Sequence, residues 1–271
     1  MAGLLRTALL AEVRKVLTTR LWWILLLVMG AYLAFIGAVM GFYVVSPPAG
    51  QPQPMTLSGP EAAAGIYGLV SSVGYVFPLV IGSLMVTAEV RYRTLAQSLL
   101  GQPRRGLLMV AKLVVAAPLG LLYGVVGMLG LVAGSAPLLA WKGDGPELGD
   151  HSVVAVLLLG VVVTAVWTVI GVAFGSLVTN QVAAIVVILA FTQFVEPIAR
   201  LALASVDGLG SVARFLPGAA ADALIGTSLL GDFGSGPVEL LSRPAALVVL
   251  LAYTVVLAVL GRVTTLRRDV P

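Results

Sequence analysis

The chain has 271 residues, of which 59% are hydrophobic and only 10% are charged, and its mean hydropathy is +1.07. A soluble domain carries about 25% charged residues, so this composition excludes that class and is typical of a membrane protein. The sequence contains no cysteine, which excludes disulfides, thiolate catalysis and cysteine-ligated metals. The net charge of +4 does not indicate nucleic-acid binding, because the distribution of the bases fits membrane topology better.

Several apolar runs are long enough to cross a bilayer as helices, which requires about 20 residues each. Backbone polar groups in lipid must be satisfied within the segment, so continuous runs predict an all-α membrane protein. We predict a single transmembrane domain over residues 1–271, with six transmembrane helices. The spans are placed at about 21–45, 65–87, 107–140, 152–178, 181–200 and 244–260.

Residues 1–20 predict an amphipathic helix before the first span. Apolar residues recur at helical spacing, and a polar face opposite them carries the charges. The apolar face is Leu5, Leu9, Val13 and Val16, and the polar face is Arg6, Glu12, Arg14, Lys15 and Arg20. Such a helix lies in the headgroup plane. The alternative is a basic flank that only orients the first span.

A charged segment at residues 88–106, called here the basic segment, separates the second and third spans. Glu89–Leu99 predicts a short helix with a basic face and an apolar stripe of Val90, Leu95 and Leu99. Gly101-Gln102-Pro103 would end this helix before Arg104 and Arg105. The alternative is a solvated basic loop that serves topology alone.

Two other segments connect the spans without crossing. The stretch 46–60 is rich in Pro, Gly and Gln and predicts an extended external loop. Residues 204–243 are too polar to span and too apolar for a free loop, so we expect short external helices on the membrane surface or re-entering it.

The basic residues predict the orientation of the spans. With both termini inside, twelve of the sixteen Lys and Arg residues fall in inner segments, and four fall in outer ones. This bias is the positive-inside signal, so both termini are expected in the cytoplasm.

The sequence lacks the residues of the common catalytic sites. It has no GxxxxGK[ST] phosphate loop, so ATP hydrolysis of that kind is excluded. The single histidine, His151, lies in a polar turn and is interpreted as a solvated loop residue. These absences disfavour an enzyme.

The patterns TAEVRYRTL and PRRGLLMVAK at the basic segment resemble a hallmark of permease subunits of type-2 ATP-binding-cassette exporters. The opening AEVRKVLTTRLWW and the later FLPGAAADAL are similar to that family as well. The resemblance covers essentially the whole chain. It departs from the family at Ala88 and Arg93, where glycine is common.

The resemblance implies a permease without enzymatic activity that pairs with a second copy or a related permease. It implies docking of a separate ATP-binding-cassette ATPase, which would hold ATP and Mg, so no cofactor is expected in this chain. The ATPase-coupling residues implied are Glu89, Arg91, Arg93, Thr94, Arg104 and Arg105.

A translocation path is the second feature implied, because the second and fifth spans line it in the resembled family. The residues expected there are Ser71, Ser72, Tyr75, Thr192, Gln193 and Glu196. Glu196 and Arg200 have the favourable i, i+4 orientation. The alternative for this pair is a snorkelling surface ion pair near the outer boundary.

Glycine stripes at Gly120/Gly124 and Gly171/Gly175 are interpreted as helix-packing seams rather than sites.

The expected function is export of a hydrophobic or amphipathic substrate such as a drug, antibiotic or lipid. The expected location is a bacterial cell membrane, with lipid as a further partner and no nucleic acid. The alternative is an ion-gradient-driven secondary transporter, which would need an intramembrane acid; a membrane-integral enzyme is disfavoured because catalytic clusters are missing.

Overall fold

The computed structural model describes residues 2–46, 58–94, 97–98, 100, 104–178, 180–206, 209–227 and 240–264. Within these residues the protein is helical and has no strand. Six helices are long and apolar enough to cross a membrane, which confirms the prediction of an all-α membrane protein with six spans.

The helices follow one another along the chain with short connections. The helices are α1 Ala2–Thr18, α2 Leu21–Val45, α3 Gly59–Leu69, α4 Val76–Arg91, α5 Arg105–Lys142, α6 His151–Gly175, α7 Gln181–Ala190, α8 Glu196–Ala204, α9 Gly210–Ala213, α10 Pro217–Ile225 and α11 Arg243–Thr264. Span 1 is helix α2, span 2 combines α3 and α4, and span 3 is α5. Span 4 is α6, span 5 combines α7 and α8, and span 6 is α11.

The core is formed where span 3 packs between spans 1 and 4, with span 2 against span 4. Met29, Leu33, Tyr67, Tyr123 and Leu131 are among its fully buried side chains. Span 5 packs mainly along span 2, and α10 packs against span 6 and span 4. Helix α10 also contacts span 2 at Val70–Gly74, so span 2 lies against both span 5 and α10.

The predicted glycine seams are confirmed as close helix contacts. A Cβ added at Gly120 would lie 2.6 Å from the Cα of Ala165, and one at Gly175 would lie 2.6 Å from the carbonyl oxygen of Ser83. Small residues therefore let spans 3 and 2 approach the backbone of span 4 closely.

Span 2 and the segment after it differ from the sequence prediction. Span 2 starts at Gly59 rather than near 65 and continues to Arg91, so it includes Glu61 and Glu89. The predicted helix Glu89–Leu99 is wrong as a continuous element, because Glu89 belongs to α4 and the chain turns at Tyr92 and Arg93. Leu95, Leu99 and 101–103 lie outside the described residues, as does most of the predicted loop 46–60.

The N-terminal helix is confirmed as α1, which packs against span 3. Its predicted polar face is wrong for Glu12, because that side chain is only 2% exposed. Val13, placed on the apolar face, is exposed. In the 204–243 segment the described part forms the short helices α9 and α10, as predicted, and 228–239 lie outside the described residues.

Candidate functional site

Span 2 and span 5 each contain one π-helical turn, at Val70–Gly74 and at Phe191–Val195. Each turn is followed closely by a proline, Pro78 or Pro197, which removes a backbone donor from the helix. Single π turns inside α-helices are frequent at functional sites. Tyr75, directly after the first turn, donates a hydrogen bond to Thr192 in the second, so the two turns lie in one region of the bundle.

The π turn of span 5 leaves one backbone carbonyl without a partner in its own helix, and a side chain of span 2 donates a hydrogen bond to it. The amide N–H of Glu196 donates to the carbonyl of Phe191, one residue further back than in an α-helix. The next amide would belong to Pro197, which has no N–H. The carbonyl of Thr192 instead accepts the hydroxyl of Tyr75, at 2.9 Å.

Beside this contact lies a buried ion cluster of Glu196, Arg200 and Asp222, called here the arginine cluster. The guanidinium of Arg200 is 3.0 Å from Glu196 Oε1 and 2.7 Å from Asp222 Oδ2. The predicted i, i+4 pair of Glu196 and Arg200 is therefore confirmed. It is not a surface pair, since Glu196 is 1% exposed and the Arg200 side chain is 14% exposed.

Helix α10 is held to span 5 through its N-terminus. The amide of Gly218 donates to Glu196 Oε1 at 2.5 Å, which satisfies one of the free N–H groups of the first helical turn. A Cβ added at Gly218 would also lie 2.5 Å from that oxygen, so a larger residue there would displace the ion pair. Asp222, on α10 itself, binds Arg200 from the other side.

The arginine cluster is not fully satisfied by the residues around it. Glu196 Oε2 and Ser71 Oγ are buried without a hydrogen-bond partner. Ser72 Oγ is 3.5 Å from Asp222 Oδ1, which is at the limit of a hydrogen bond. Burial raises the pKa of the Asp222 carboxyl above its ordinary value, although Arg200 and the two serines act in the opposite direction.

The residues predicted to line a path are brought together by the fold, but within a single subunit. The buried members are Ser71, Tyr75, Thr192 and Glu196, Ser72 is half-buried, and Gln193 is exposed. Tyr75 also packs against Trp167 of span 4, with ring centroids 4.7 Å apart. Most of these side chains therefore pack inside the bundle rather than on its surface.

A second buried ion cluster, called here the lysine cluster, contains Glu12, Lys15, Glu89 and Lys112. Each lysine contacts both acids: Lys112 Nζ is 2.7 Å from Glu12 and 2.8 Å from Glu89, and Lys15 Nζ is 2.5 Å and 2.7 Å from them. The cluster joins α1, the end of span 2 and the start of span 3.

The lysine cluster also reaches the basic segment. Lys15 Nζ is 3.0 Å from the hydroxyl of Ser98, and Lys112 Nζ donates to the carbonyl of Met85. Burial lowers the pKa of Lys15, but its hydrogen bonds to Glu12 and Glu89 outweigh this effect, so the pKa is raised above 10.5. Lys15 is thus positively charged at neutral pH, and the cluster contains two acids and two bases.

The residues predicted to couple to an ATPase divide into an exposed group and one buried member. Glu89 is buried in the lysine cluster and does not reach the surface. Arg91, Arg93 and Arg104 are exposed, and Thr94 and Arg105 are partly exposed. Arg93 has a left-handed φ of 56°, the conformation in which glycine is favoured.

Two contacts hold Arg91 and the turn after span 2 against the spans. Arg91 Nη1 is 3.3 Å from the side-chain oxygen of Gln181, at the start of span 5. The amide of Thr94 donates to the carbonyl of Glu89 at 2.9 Å, which closes the turn after span 2. The turn after span 2 is therefore held to the bundle by backbone and side-chain contacts.

Sequence reasoning missed Asp222 and the joining of Glu12, Lys15 and Lys112 to Glu89. Asp222 stands alone among apolar residues in AAADALI, and an isolated acid in an apolar helix was the available signal. The lysine cluster joins residues up to 100 positions apart, and no local pattern indicates that contact.

Among the described residues, no group of three or more His, Cys, Asp and Glu side chains could hold a metal ion. Comparison of the sequence with models of known protein families gives no match, and comparison with curated proteins gives none either. The structure defines a multi-pass membrane protein with two buried ion clusters.

Proposed function

We propose that this protein is the membrane-spanning subunit of an ATP-binding-cassette exporter and is driven by a separate ATPase subunit. Its substrate would be hydrophobic or amphipathic, such as a drug, an antibiotic or a lipid. It would reside in a bacterial cell membrane with both termini in the cytoplasm and pair with a second permease copy. The observation that carries the proposal is the exposed basic surface between spans 2 and 3.

The basic surface is suited to docking because its arginine side chains are exposed, while the adjoining end of span 2 is anchored. Arg91, Arg93 and Arg104 are exposed, whereas the adjoining Glu89 is buried against two lysines. A rigidly held charged surface loses little conformational entropy when a partner binds. It would therefore suit an ATPase with a complementary acidic surface.

The lysine cluster gives this surface a mechanical connection to the spans. Glu89 lies near the end of span 2 and contacts both Lys15 of α1 and Lys112 of span 3. Force applied at the basic segment would thus reach span 2 and span 3 directly. ATP and Mg would be bound by the partner, because this sequence has no phosphate loop.

A translocation path along span 5 would use Gln193, which is exposed. The other predicted path residues pack between span 2, span 5 and α10. They would line a path only if span 5 moved away from span 2. Glu196→Gln with unaltered transport would remove Glu196 from the path.

The docking proposal is tested with the double charge reversal Arg104→Glu and Arg105→Glu. We expect the permease to remain in the membrane at the wild-type level and co-purification of the ATPase to fall. Arg243→Glu is the control, because this exposed arginine begins span 6 and is separate from the basic segment. An ATPase that stays bound and fully stimulated in the double variant would show that docking occurs elsewhere.

The need for ATP is tested with an ATPase partner whose phosphate-loop lysine is replaced. We expect transport to stop although the two subunits still associate. Transport that persists with the inactive ATPase would rule out the exporter proposal.

An ion-gradient-driven transporter is a second candidate because of one observation. Glu196 and Asp222 are buried acids at the contact of span 2 and span 5, and buried acids of this kind occur in proton relays. The two candidates differ in proteoliposomes that contain the permease alone. Uptake driven by an imposed pH gradient and abolished by a protonophore would favour this second candidate.

A further inference from the structure

The arginine cluster has one more acid than base. Glu196 and Asp222 each carry one negative charge when ionised, and Arg200 supplies a single positive charge. Both acids are 1% exposed, and the Arg200 side chain is 14% exposed. A buried charge without a partner is costly, and such a group commonly becomes neutral instead.

Among the described residues, no base other than Arg200 forms an ion pair with these two acids. The ionisable groups that face Glu196 are Tyr75 on span 2, Tyr253 on span 6, Asp222 on α10 and Arg200 on its own helix. A tyrosine phenol has an ordinary pKa of about 10 and is neutral at physiological pH. Arg200 therefore remains the single positive charge among them.

Two polar atoms indicate where a further hydrogen belongs. Glu196 Oε2 is buried and accepts no hydrogen bond, while Oε1 of the same carboxyl accepts from Arg200 and Gly218. Ser71 Oγ is also buried without a hydrogen bond and lies beside Asp222. A proton on Glu196 Oε2 would neutralise that carboxyl, and a proton on Asp222 could be donated to a serine hydroxyl.

We propose that the arginine cluster is a proton-binding site that holds one exchangeable proton on the Glu196–Asp222 pair at neutral pH. With this proton the charges of the cluster sum to zero. Release transfers the proton to water and leaves a net charge of −1 buried between span 5 and α10. Coupled acids of this kind share the proton, so the site belongs to the pair rather than to one residue.

Proton release should loosen α10. This helix is held to span 5 by the Gly218 amide on Glu196 and by the ion pair of Asp222 with Arg200. The uncompensated charge favours entry of water at these contacts. Raising the pH should therefore open the contact between α10 and span 5, whether or not the protein is an exporter.

The direct test is infrared spectroscopy of the full-length protein in lipid nanodiscs at neutral and alkaline pH. We expect a protonated-carboxyl carbonyl band at neutral pH that disappears as the pH rises. Labelling the protein with ¹³C-carboxyl glutamate or, separately, aspartate identifies the acid that carries the proton, without any substitution. Absence of a protonated-carboxyl band at neutral pH would overturn the proposal.

Substitutions assign the band to this cluster. Glu196→Gln and Asp222→Asn each replace one acid by a neutral residue, so each should remove the pH-dependent band. The double variant leaves Arg200 without an anion and should be much less stable than either single variant. A band unchanged in both single variants would place the proton outside this cluster and contradict the proposal.

Hydrogen exchange tests the consequence for α10. Peptides covering 217–225 should lose protection more than tenfold as the pH rises, after correction for the intrinsic exchange rate. Glu196→Gln should keep them protected throughout. Equal pH dependence in the wild type and in Glu196→Gln would contradict the link between the proton and α10.

Discussion

The lysine cluster and the arginine cluster are both buried, but they differ in charge balance and in access to solvent. The lysine cluster has two acids and two bases, and the side chain of Lys15 is 38% exposed. The arginine cluster has two acids and one base, and both acids are 1% exposed. A balanced cluster can hold helices together without taking up a proton, whereas an unbalanced one needs a further positive charge.

The two clusters lie at different depths of the same span. Ser72 contacts the arginine cluster and Glu89 belongs to the lysine cluster. At about 1.5 Å per residue, the helix between them rises about 25 Å. Span 2 therefore connects the two clusters. Substitutions in either cluster act on the same helix, so their effects on stability can be compared.

The largest effect is expected for Arg200→Met, which removes the single base of the arginine cluster. Both acids would lose their ion-pair partner in a buried position, so the free energy of unfolding should fall by about 3–5 kcal/mol. Titration with sodium dodecyl sulfate in mixed micelles measures this change. Arg243→Met is the matched control, because Arg243 is exposed. Equal losses in the two variants would show that the cluster contributes nothing specific.

Lys112→Met should have the next largest effect. It leaves Glu12 and Glu89 with Lys15 alone, and the remaining negative charge is buried, so we expect a loss of about 3 kcal/mol by the same titration. Arg14→Met is the control, because Arg14 is an exposed base on α1 beside Lys15. A change as small as that of the control would mean that Lys15 alone suffices.

Replacing one glutamate by glutamine in each cluster tests the difference in charge balance directly. Glu89→Gln leaves the lysine cluster with an excess positive charge, so a loss of about 1–3 kcal/mol is expected. Glu196→Gln leaves the arginine cluster neutral and should change the free energy of unfolding by less than about 1 kcal/mol. The same titration at neutral pH compares them. A larger loss of stability in Glu196→Gln than in Glu89→Gln would contradict the assigned charge states.

Lys15→Met should lower the stability less than Lys112→Met or Glu89→Gln, because Lys15 is partly exposed and solvent screens its ion pairs. The loss at neutral pH should be about 0.5–1 kcal/mol. The pKa of Lys15 is raised in the folded protein, so its contribution is complete below about 10.5 and disappears as the pH rises through the higher folded value. Stability measured against pH should therefore decline less in Lys15→Met than in the wild type above pH 10.5.

The six spans could be predicted from the sequence because hydropathy and length decide them. The predicted helix ends are less accurate. A hydropathy criterion leaves the charged residues Glu61 and Glu89 out of span 2, whereas the structure includes both in its helices. The pair of Glu196 and Arg200 was predictable from its i, i+4 spacing. Local spacing carries this information because both residues lie on one helix.

The remaining parts of both clusters depend on tertiary contacts. Glu12 and Lys112 are 100 positions apart, and Ser72 and Asp222 are 150 apart. A proline follows each π turn, but no sequence period indicates the turn itself. Because its partners Lys15 and Lys112 are distant in the sequence, the local pattern places Glu89 on an exposed docking helix, although it is buried in the structure.

The π turns have a practical consequence for site-directed labelling. Each inserts one extra residue into a helical turn, so the face that a residue occupies is rotated by about 100° beyond the turn. A helical wheel drawn from 59 onward therefore assigns the wrong face to residues after Gly74. The natural sequence has no cysteine, so a cysteine scan needs no altered background. The periodic accessibility of such a scan along span 2 should shift by one position after residues 70–74.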